Sequence, residues 1–503
     1  MAGDHDHRAI LDHRRDRYRA RTRRVLRRMV RPCRTDAMST QSSRGADRSV
    51  PQCALVVGRG VSARAAVRLL RRDGIRTIVV VPETDGPEPD WLDPDDVELR
   101  RAGAGTDPLT ADVDVLIPSP GVPPSDPIIQ AATDAGVAVW SEPELAYRQR
   151  PRRVVAVTGT NGKTSTVELV TAMFTQDGRA ARSCGNIGFP LCDAVLDADE
   201  DVVLVAELSS FQLAYTSSLR ADVATLLNVA PDHLDWHGTF AAYAGAKARI
   251  WRGQQPGDWS VVNADDSVAV ALGQDARARH AAFSVRDVVD RGIGVRDDTL
   301  VVCGDGDTRE LLTISSLPET SRHHVANVAA AATTAHLAGI ADAAVCAAAR
   351  DYTPGDHRGR LVTEWKGVRY IDDSKATNPH AAAAALAASG STVWIAGGLA
   401  KGVDLASLGG SIGDVRHAVL IGSAADALAE ICAQHGVQTS RATTMDDAVQ
   451  RAACVAHPGD TVLLAPACAS FDQFRDFRDR GEQFADAVRR LGNADRSPRM
   501  VGS

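Results

Sequence analysis

A glycine-rich turn near the middle of the chain carries the residue types that bind phosphate. It follows the apolar run at 154–157 and consists of Gly159, Thr160, Asn161, Gly162, Lys163, Thr164 and Ser165. Glycines let backbone N–H groups face phosphate oxygens, and the N-terminus of a following helix adds the positive end of its dipole. Lys163 is predicted to reach the β- and γ-phosphates of ATP, and the Thr164 hydroxyl to bind Mg²⁺. Val157 stands at the first glycine position of the standard motif, so the turn is a shortened relative, with an ordinary strand-to-helix turn as the alternative.

Candidate metal ligands lie further along the same part of the chain. Glu207 follows the apolar run at 202–206, and His233 follows the run at 223–227. Taken singly, both could be ordinary hydrogen-bonding groups, and Lys247, in an alanine-rich stretch, could be a solvated helix lysine. A shared position beyond strands of one nucleotide-binding domain favours a Mg²⁺ site for Glu207 and His233.

A second glycine turn, at Gly58 and Gly60, follows the run at 54–57 and fits a dinucleotide-binding turn, with Glu83 as a candidate ribose contact. It supports an alternative class, an NAD-dependent oxidoreductase, although a dehydrogenase has no use for an ATP-binding turn in the next domain. The same geometry binds any diphosphate, including that of a uridine nucleotide sugar. The end of the run at 113–117 offers Ser119, Pro120 and Gly121.

Short apolar runs alternate with alanine-rich stretches from residue 51 onward, a pattern typical of parallel α/β domains. The runs form three sets: 54–57, 77–81, 113–117 and 137–140; 154–157, 202–206, 223–227 and 259–262; 368–371, 392–396, 418–421 and 461–464. Polar, proline-containing segments at 148–153 and 351–356 separate these sets. The sequence therefore predicts an α/β protein with domains at 49–148, 149–352 and 353–495.

Composition argues against several classes of function. The chain has 503 residues, of which 44% are hydrophobic and 24% charged, so packed cores are expected. A net charge of −7 argues against a general nucleic-acid-binding protein. The nine cysteines form no CxxC pair, so neither a disulfide framework nor a structural zinc site is expected. Without an apolar run of roughly 20 residues or a recognisable secretory signal, we expect a cytoplasmic protein with no stable membrane insertion.

The first 48 residues differ from the rest of the chain. Residues 5–34 are rich in arginine and lack periodic apolar residues. We expect a dispensable solvated tail, or a stretch that precedes a true start at Met38. A basic arm that binds a membrane or nucleic acid is the alternative.

Six segments resemble the Mur ligase family in sequence and in order. They are GTNGKTS (159–165), GNIG (185–188), ELSSFQL (207–213), NVAPDHLDWHG (228–238), DDSKATNPH (372–380) and ACASFDQFRDFRDRGEQF (467–484). The resemblance spans roughly residues 53–491. It implies a Rossmann-like N-terminal domain, a central P-loop ATPase-type domain and a Rossmann-like C-terminal domain. It also implies an ATP- and Mg²⁺-dependent ligase, expected to be a monomer. Within the family, the last two segments imply the member that joins D-glutamate to UDP-N-acetylmuramoyl-L-alanine through an acyl phosphate in peptidoglycan synthesis.

The resemblance also implies roles for individual residues. Beyond the glycine turn, the implied ATP contacts are Asn327, Arg358, Asp373 and Lys375. The implied metal ligands are Thr164, Glu207, His233 and Lys247, and the implied catalytic residues are Lys163, His233 and carbamylated Lys247. The nucleotide-sugar contacts are Ser62, Ser119, Pro120, Gly121, Asn186, Ser209 and Gln212. The glutamate contacts are Thr377, Lys401, Ser470, Phe471 and Phe477. A carbamate on Lys247 is electrostatically sensible, because an ammonium repels Mg²⁺ whereas a carbamate offers an anionic oxygen.

The chain departs from the family pattern at three places. His324 stands where the adenine-contacting H-N-x-x-N segment has its first Asn, although Asn327 is kept. The residues before Arg358 read Pro-Gly-Asp-His instead of L-P-H-R, and Phe471 stands where Leu is common. None of these changes removes a reacting group. The alternative within the family is a ligase that adds L-glutamate or another amino acid.

Overall fold

The computed structural model describes residues 50–82, 90–92, 97–102, 109–304 and 306–494. The basic segment at 1–48 with its candidate start Met38, and the candidate ribose contact Glu83, lie outside the described residues. Across the described ranges, no helix is both long enough and apolar enough to cross a membrane.

The first sheet is entirely parallel, with strand order β3-β2-β1-β4-β5. Its strands are β1 (Cys53–Val57), β2 (Arg76–Pro82), β3 (Glu98–Ala102), β4 (Val115–Pro118) and β5 (Ala138–Val139). The helices are α1 (Val61–Arg72), α2 (Pro127–Asp134) and α3 (Glu142–Gln149). Residues of β1 and β4 are buried on both faces, as a parallel sheet covered by helices requires.

The middle sheet has nine strands in the order β14-β13-β12-β11-β10-β9-β6-β8-β7. Its strands are β6 (Val154–Thr158), β7 (Ala181–Gly185), β8 (Val203–Glu207), β9 (Val223–Leu226), β10 (Trp259–Asn263), β11 (Arg279–Phe283), β12 (Gly292–Arg296), β13 (Thr299–Gly304) and β14 (Asp307–Thr313). The pairings from β7 to β12 are parallel, and the last two are antiparallel. Its helices are α4 (Lys163–Gln176), α5 (Leu191–Asp197), α6 (Ser210–Ala214), α7 (Leu234–His237), α8 (Phe240–Ala248), α9 (Ser267–Gly273), α10 (Arg322–Leu337) and α11 (Asp342–Asp351). Strands β6, β8 and β9 lie side by side, so their carboxyl ends meet at one edge.

The third sheet has strand order β15-β16-β20-β17-β18-β19, with only the β15–β16 pair antiparallel. Its strands are β15 (Arg360–Trp365), β16 (Val368–Asp372), β17 (Thr392–Gly397), β18 (Val415–Ile421), β19 (Gln438–Arg441) and β20 (Thr461–Leu464). Its helices are α12 (Pro379–Ala387), α13 (Ala425–Gln434), α14 (Met445–Val455) and α15 (Phe477–Ala494). Neighbouring side chains on β17 enter different cores, Trp394 on one face and Ile395 on the other. The predicted α/β class with three sheets is confirmed.

The first and middle sheets share one hydrophobic core, whereas the third sheet has cores of its own. Ala65 on α1 and Ala194 on α5 belong to the same buried cluster. Above it, Arg68 donates to Asp193 at 2.9 Å and to Asp197 at 2.6 Å. Because apolar burial is non-directional and scales with area, this shared core fixes the first two sheets together.

A buried carboxylate at the start of α3 reinforces this junction. Glu144 accepts hydrogen bonds from the backbone N–H groups of Ser217, Ser218 and Leu219 at 2.8–3.0 Å. Arg148 donates to the same carboxylate at 2.7 Å. Burial alone would raise the pKa of Glu144, but these donors outweigh burial and hold it below its ordinary value. A lowered pKa stabilises the fold at neutral pH, and that contribution is lost as the pH falls through the lowered value.

We predict that Glu144→Gln lowers the free energy of unfolding at pH 7 by roughly 1–3 kcal/mol, because an amide cannot accept all of these donors. Glu98→Gln is the matched control, because Glu98 pairs with Arg76 on the solvent-exposed surface. This substitution should lower the free energy of unfolding by less than about 1 kcal/mol. Urea denaturation of both variants measures the difference. Equal losses would show that Glu144 adds nothing beyond a surface ion pair.

Candidate active site

The glycine turn lies between β6 and α4, as the sequence predicts. Gly162 has a left-handed backbone, with φ of 85°, directly before the first helical residue, Lys163. A Cβ at position 162 would lie 2.3 Å from Oδ1 of Asn327, so only glycine fits. The structure therefore places Asn327, a predicted adenine contact, directly against the turn.

Hydrogen bonds from the loop after β9 fix the shape of the turn. The backbone N–H of Asn161 donates to Oδ1 of Asn228 at 2.9 Å, and Nδ2 of Asn228 donates to the carbonyl of Asn161 at 3.1 Å. The Thr160 hydroxyl accepts from the N–H of Ala230 at 2.9 Å and contacts the Tyr243 hydroxyl at 3.0 Å. The turn is thus held rigid before any ligand binds. Sequence analysis assigned no role to Asn228, although it is the first residue of the NVAPDHLDWHG segment that carries the resemblance.

Two lysines converge on a single carbonyl oxygen of the turn. Nζ of Lys163 donates to the carbonyl of Gly159 at 2.9 Å, and Nζ of Lys247 donates to the same oxygen at 2.7 Å. Lys247 is 2% exposed and lies 4.6 Å from the ring centroid of Tyr243. Burial, and then the charge of Lys163, lower the pKa of Lys247 well below its ordinary value. Lys247 is therefore a buried residue of the site and not a solvated helix lysine.

Glu207 contacts the first turn of α4. Its carboxylate accepts from the Thr164 hydroxyl at 2.8 Å and from Nδ2 of Asn186 at 2.7 Å. The close approach of the GNIG segment depends on glycine, because a Cβ on Gly185 would lie 2.3 Å from the carbonyl oxygen of Glu207. Two predicted metal ligands, Thr164 and Glu207, are thus brought together with one predicted substrate contact, Asn186.

His233 adopts a strained backbone conformation at the end of the neighbouring strand. Its φ of 53° is left-handed, and its Nε2 lies 3.7 Å from Oδ2 of Asp232. Burial lowers the pKa of His233 to about 4 against the attraction of Asp232, and the charges of Lys401, Lys163 and Lys247 lower it further. The imidazole is therefore neutral at physiological pH, with a lone pair available to a ligand.

The donors brought together here fit Mg²⁺ in part. The described chain holds no cluster of three or more His, Cys, Asp or Glu side chains around one point. The predicted set contains only two such residues, Glu207 and His233. The adjoining Thr164 hydroxyl and Glu207 carboxylate are the hard oxygen donors that Mg²⁺ prefers, whereas imidazole is a less usual ligand. The magnesium site stays a prediction, with Thr164 and Glu207 as its best-matched part.

The third domain reaches the turn through a buried amide. Asn378, 3% exposed, exchanges hydrogen bonds with the side chain of Asn161 at 3.0 and 3.2 Å and donates to Asp232 at 3.2 Å. Asn161 also contacts Nδ1 of His380 at 2.9 Å. Oδ1 of Asn378 additionally caps α12 by accepting the N–H of Ala381 at 2.9 Å. Sequence analysis assigned no role to Asn378 or Asp232, although both lie within the segments that carry the resemblance.

Asp373 and Lys375, two predicted ATP contacts of the third domain, follow strand β16, and the space between Lys375 and the glycine turn is here called the cleft. Burial and the neighbouring Asp372 raise the pKa of Asp373 to about 7, while Arg358 opposes that rise. Nζ of Lys375 lies 3.9 Å from the ring centroid of Phe477. Lys375 keeps an exposed surface, but partial desolvation and then the charge of nearby Lys163 lower its pKa to about 8. Lys375 and Lys163 therefore approach the site from opposite domains.

The predicted glutamate contacts follow the carboxyl ends of β17 and β20. Lys401 has a left-handed φ of 52°, and its charge reaches His233 across the cleft. Ser470 is buried, whereas the Phe471 side chain is 66% exposed. Thr377 is half-buried in the turn between β16 and α12, where its N–H donates to the carbonyl of Lys375 at 2.8 Å. Their roles toward glutamate stay predictions.

The predicted nucleotide-sugar contacts fall in two places. In the first domain, half-buried Ser62 begins α1, and the buried hydroxyl of Ser119 faces Gly58 without a hydrogen-bond partner. Pro120 and Gly121 follow on the more exposed side of the same turn. In the middle domain, Ser209 and Gln212 form a capping box for α6, which occupies the Ser209 hydroxyl and one oxygen of Gln212.

His324, which departs from the family pattern, has a buried side chain. His324 is 2% exposed, stacks on Tyr352 at 6.1 Å between ring centroids, and lacks a partner at Nε2. Tyr352 in turn donates to Glu168 of α4 at 2.7 Å. The substitution thus packs beside the helix that follows the glycine turn.

Three family descriptions match successive parts of the chain. The Mur ligase MurD-like N-terminal domain matches residues 52–141, the Mur ligase middle domain matches 157–335, and the Mur ligase glutamate ligase domain matches 357–468.

Curated relatives and solved structures match nearly the same span. The UDP-N-acetylmuramoylalanine–D-glutamate ligase of Frankia casuarinae is 47% identical, over 86% of this chain and 93% of the relative. The ligase of the same name from Streptomyces coelicolor is 41% identical, over 87% of this chain and 98% of the relative. The crystal structure of UDP-N-acetylmuramate-alanine ligase MurC from Thermotoga maritima superposes with a TM-score of 0.52 at 16% identity, over 88% of this chain and 99% of that structure. At that identity the last likeness shows the fold alone.

We predict that Asn378→Ser weakens binding of ATP about tenfold, because serine is too short to bridge Asn161 and Asp232 while it still caps α12. Asn378→Ala is the matched variant that loses both the bridge and the cap. Calorimetric titration should show a similar loss of ATP affinity in the two variants, whereas the unfolding temperature should fall mainly in Asn378→Ala. Unchanged ATP affinity in Asn378→Ser would mean that Asn378 serves only the helix.

Proposed function

This chain belongs to the Mur ligase family, and on that premise we propose that it adds D-glutamate to UDP-N-acetylmuramoyl-L-alanine, with release of ADP and phosphate. The relatives of that name cover nearly the whole chain from the first sheet to the third, which supports the amino acid as well as the reaction class. Peptidoglycan synthesis is the process that consumes such a product.

One observation supports the chemistry most strongly: lysine side chains converge on the glycine turn. Lys163 donates to the carbonyl of Gly159, and Lys375 approaches from the third domain. Buried Lys247, whose pKa lies well below its ordinary value, donates to the same carbonyl. Phosphoryl transfer needs a positioned, charge-neutralised triphosphate more than it needs a covalent nucleophile. The turn and its lysines supply that environment.

The reaction proceeds in two steps. A carboxylate oxygen of the nucleotide-sugar substrate attacks the γ-phosphorus, the bond to the β–γ bridging oxygen breaks, and ADP leaves. The amine of glutamate then attacks the carbonyl carbon of the acyl phosphate, a C–N bond forms, the amine loses a proton, and phosphate leaves. Lys163 lies against the transferred phosphoryl group in both steps. Mg²⁺, when bound, would neutralise further charge on the phosphates.

The second substrate enters from the third domain. Lys401 supplies a cation for a glutamate carboxylate, and Ser470 supplies a hydroxyl at the end of the neighbouring strand β20. Phe471, directly after Ser470, exposes its side chain and is available to an entering substrate. In this arrangement the amine meets the activated carbonyl next to the glycine turn.

We also propose that Lys247 carries a carbamate. Two ammonium groups on one carbonyl oxygen repel each other, and a buried lysine favours its neutral amine. That amine attacks the carbon of CO₂, forms an N–C bond and loses a proton, which leaves an anionic carbamate. The modification replaces a repulsion with an attraction to Lys163 and gives the site an anionic oxygen donor beside Glu207.

The assignment of substrates is tested by phosphate release. We expect release from MgATP only when UDP-N-acetylmuramoyl-L-alanine and D-glutamate are both present. Parallel reactions with L-glutamate and with other amino acids measure the choice of amino acid. Faster release with any of them than with D-glutamate would overturn the assignment, and NAD reduction without ATP dependence would overturn the reaction class.

The carbamate is tested by substitution at position 247. We expect Lys247→Ala to lower turnover by orders of magnitude with the fold intact, because alanine is well tolerated in helix α8. Acetate should restore part of the activity by filling the vacated position, whereas Lys247→Arg should stay inactive, because arginine keeps its charge and cannot be carbamylated.

Exposed Lys366 provides the control, since Lys366→Ala should turn over normally. Enzyme equilibrated with ¹³C-labelled bicarbonate should show a carbamate resonance that Lys247→Arg lacks. Full activity in Lys247→Arg, or the same resonance in that variant, would remove the carbamate from the site.

A further inference from the structure

Two buried hydrogen-bond donors near the junction of the first and middle domains have no partner among the described residues. They are the hydroxyl of Tyr215 and the indole Nε1–H of Trp236, and their rings pack edge to face with centroids 6.2 Å apart. An indole N–H can only donate, and burial together with nearby Asp126 raises the pKa of Tyr215 to about 12, so its hydroxyl stays protonated. Both groups therefore present a hydrogen to an acceptor that the protein itself does not supply.

Tyr215 belongs to the boundary with the first domain. Its carbonyl accepts the backbone N–H of Ser141 at 3.1 Å. Its side chain packs against the same apolar cluster as Val122, which directly follows the predicted diphosphate stretch and donates its N–H to the carbonyl of Ser119 at 3.0 Å. The unpartnered hydroxyl of Tyr215 is thus close to the end of the cleft where the uridine diphosphate is expected.

Trp236 belongs to the catalytic end. Its ring lies 4.9 Å from that of Phe211, which in turn lies 4.7 Å from the imidazole of His233. Trp236 also packs at 4.4 Å against His237 in the same short helix. Within the described residues, Ser119, Tyr215 and Trp236 each carry a buried polar atom without a hydrogen-bond partner, and the ring of Trp236 connects to the imidazole of His233 through Phe211.

A substrate that reaches from the diphosphate turn to the glycine turn would extend past this aromatic pair. If the diphosphate binds at the first domain and the reacting carboxylate lies at the glycine turn, the sugar and its acyl-amino-acid arm occupy the space between them. Such an arm carries amide carbonyl oxygens, which are the acceptors that two donors require, and aromatic faces suit the apolar face of a sugar ring.

We propose that Tyr215 and Trp236 form a specificity subsite that binds the amide carbonyl oxygens of the N-acetylmuramoyl-L-alanine part of the substrate. This inference rests on the proposed function and adds two residues to it. The subsite selects for substrates with an acylated sugar, because a substrate without these carbonyls leaves the two donors buried and unsatisfied.

The third domain offers a matched control. The hydroxyl of Tyr370 is likewise buried without a partner, but it lies on β16 in a core of the third domain that does not border the cleft. Tyr370→Phe removes the same atom as Tyr215→Phe from a place where no ligand is expected. The comparison separates the loss of a substrate contact from the general effect of removing an unsatisfied hydroxyl.

The test combines binding and kinetics on the full chain. We expect Tyr215→Phe and Trp236→Phe each to raise the Kd and KM for UDP-N-acetylmuramoyl-L-alanine about two- to tenfold, as loss of one neutral hydrogen bond does. Affinity for UDP alone, and the KM for ATP, should stay within about twofold, the weakest effect that such a loss produces. Tyr370→Phe should change none of these values. The unfolding temperature of ligand-free Tyr215→Phe should equal or exceed that of the unaltered protein, because the substitution removes an unsatisfied group.

Three results would overturn the subsite. They are an unchanged Kd for the full substrate in both variants, an equal loss of affinity for UDP alone, and a fall in ligand-free stability that accounts for the weaker binding. Calorimetric binding of the nucleotide sugar needs no glutamate and no turnover. A protein that binds it through these residues but releases no phosphate with D-glutamate would therefore contradict the proposed function and leave the subsite standing.

Discussion

The properties of this site depend on the lysine side chains that gather around one backbone carbonyl. Lys163 and Lys247 both donate to the oxygen of Gly159, and Lys375 and Lys401 face the same volume from the third domain. In a partly desolvated cleft this repulsion is weakly screened, so the arrangement is favourable only when anions occupy it. A triphosphate, two substrate carboxylates and a carbamate are the anions that the proposed reaction brings.

The junctions between domains differ in chemistry. The first two sheets share a hydrophobic core and are further tied by the buried carboxylate of Glu144. The third sheet has separate cores and contacts the glycine turn through the amides of Asn161 and Asn378. Polar contacts of this kind are directional and exchange readily with water or a ligand, whereas a shared apolar core does not. We therefore expect the nucleotide sugar to bind between two domains whose relative position is fixed. ATP and glutamate would bind between the middle and third domains, which a few hydrogen bonds hold together.

Much of the fold could be predicted from hydrophobic patterning. Each apolar run coincides with a strand, because buried parallel strands need continuous apolar residues. The strands that patterning missed include β3, β14 and β19, whose residues are charged or polar and lie at the edges of their sheets. Hairpin β13–β14 and strand β15 add antiparallel strands to otherwise parallel sheets. No local sequence pattern predicts this antiparallel pairing. Edge strands need no apolar face, so their sequences resemble loops.

The sequence by itself determined the chemistry at single strand ends: the glycine turn with Lys163 and Thr164, and the acid Glu207 after β8. The motif resemblance then singled out Lys247, which spacing alone would have placed in solvent. Only the tertiary structure decided that Lys247 is buried against the carbonyl of Gly159, that Asn378 reaches Asn161 from another domain, and that the donors of Tyr215 and Trp236 are buried without partners among the described residues. The physical reason is that burial, charge proximity and unsatisfied hydrogen bonds depend on the distances between elements far apart in the chain. A residue's type and spacing do not contain those distances.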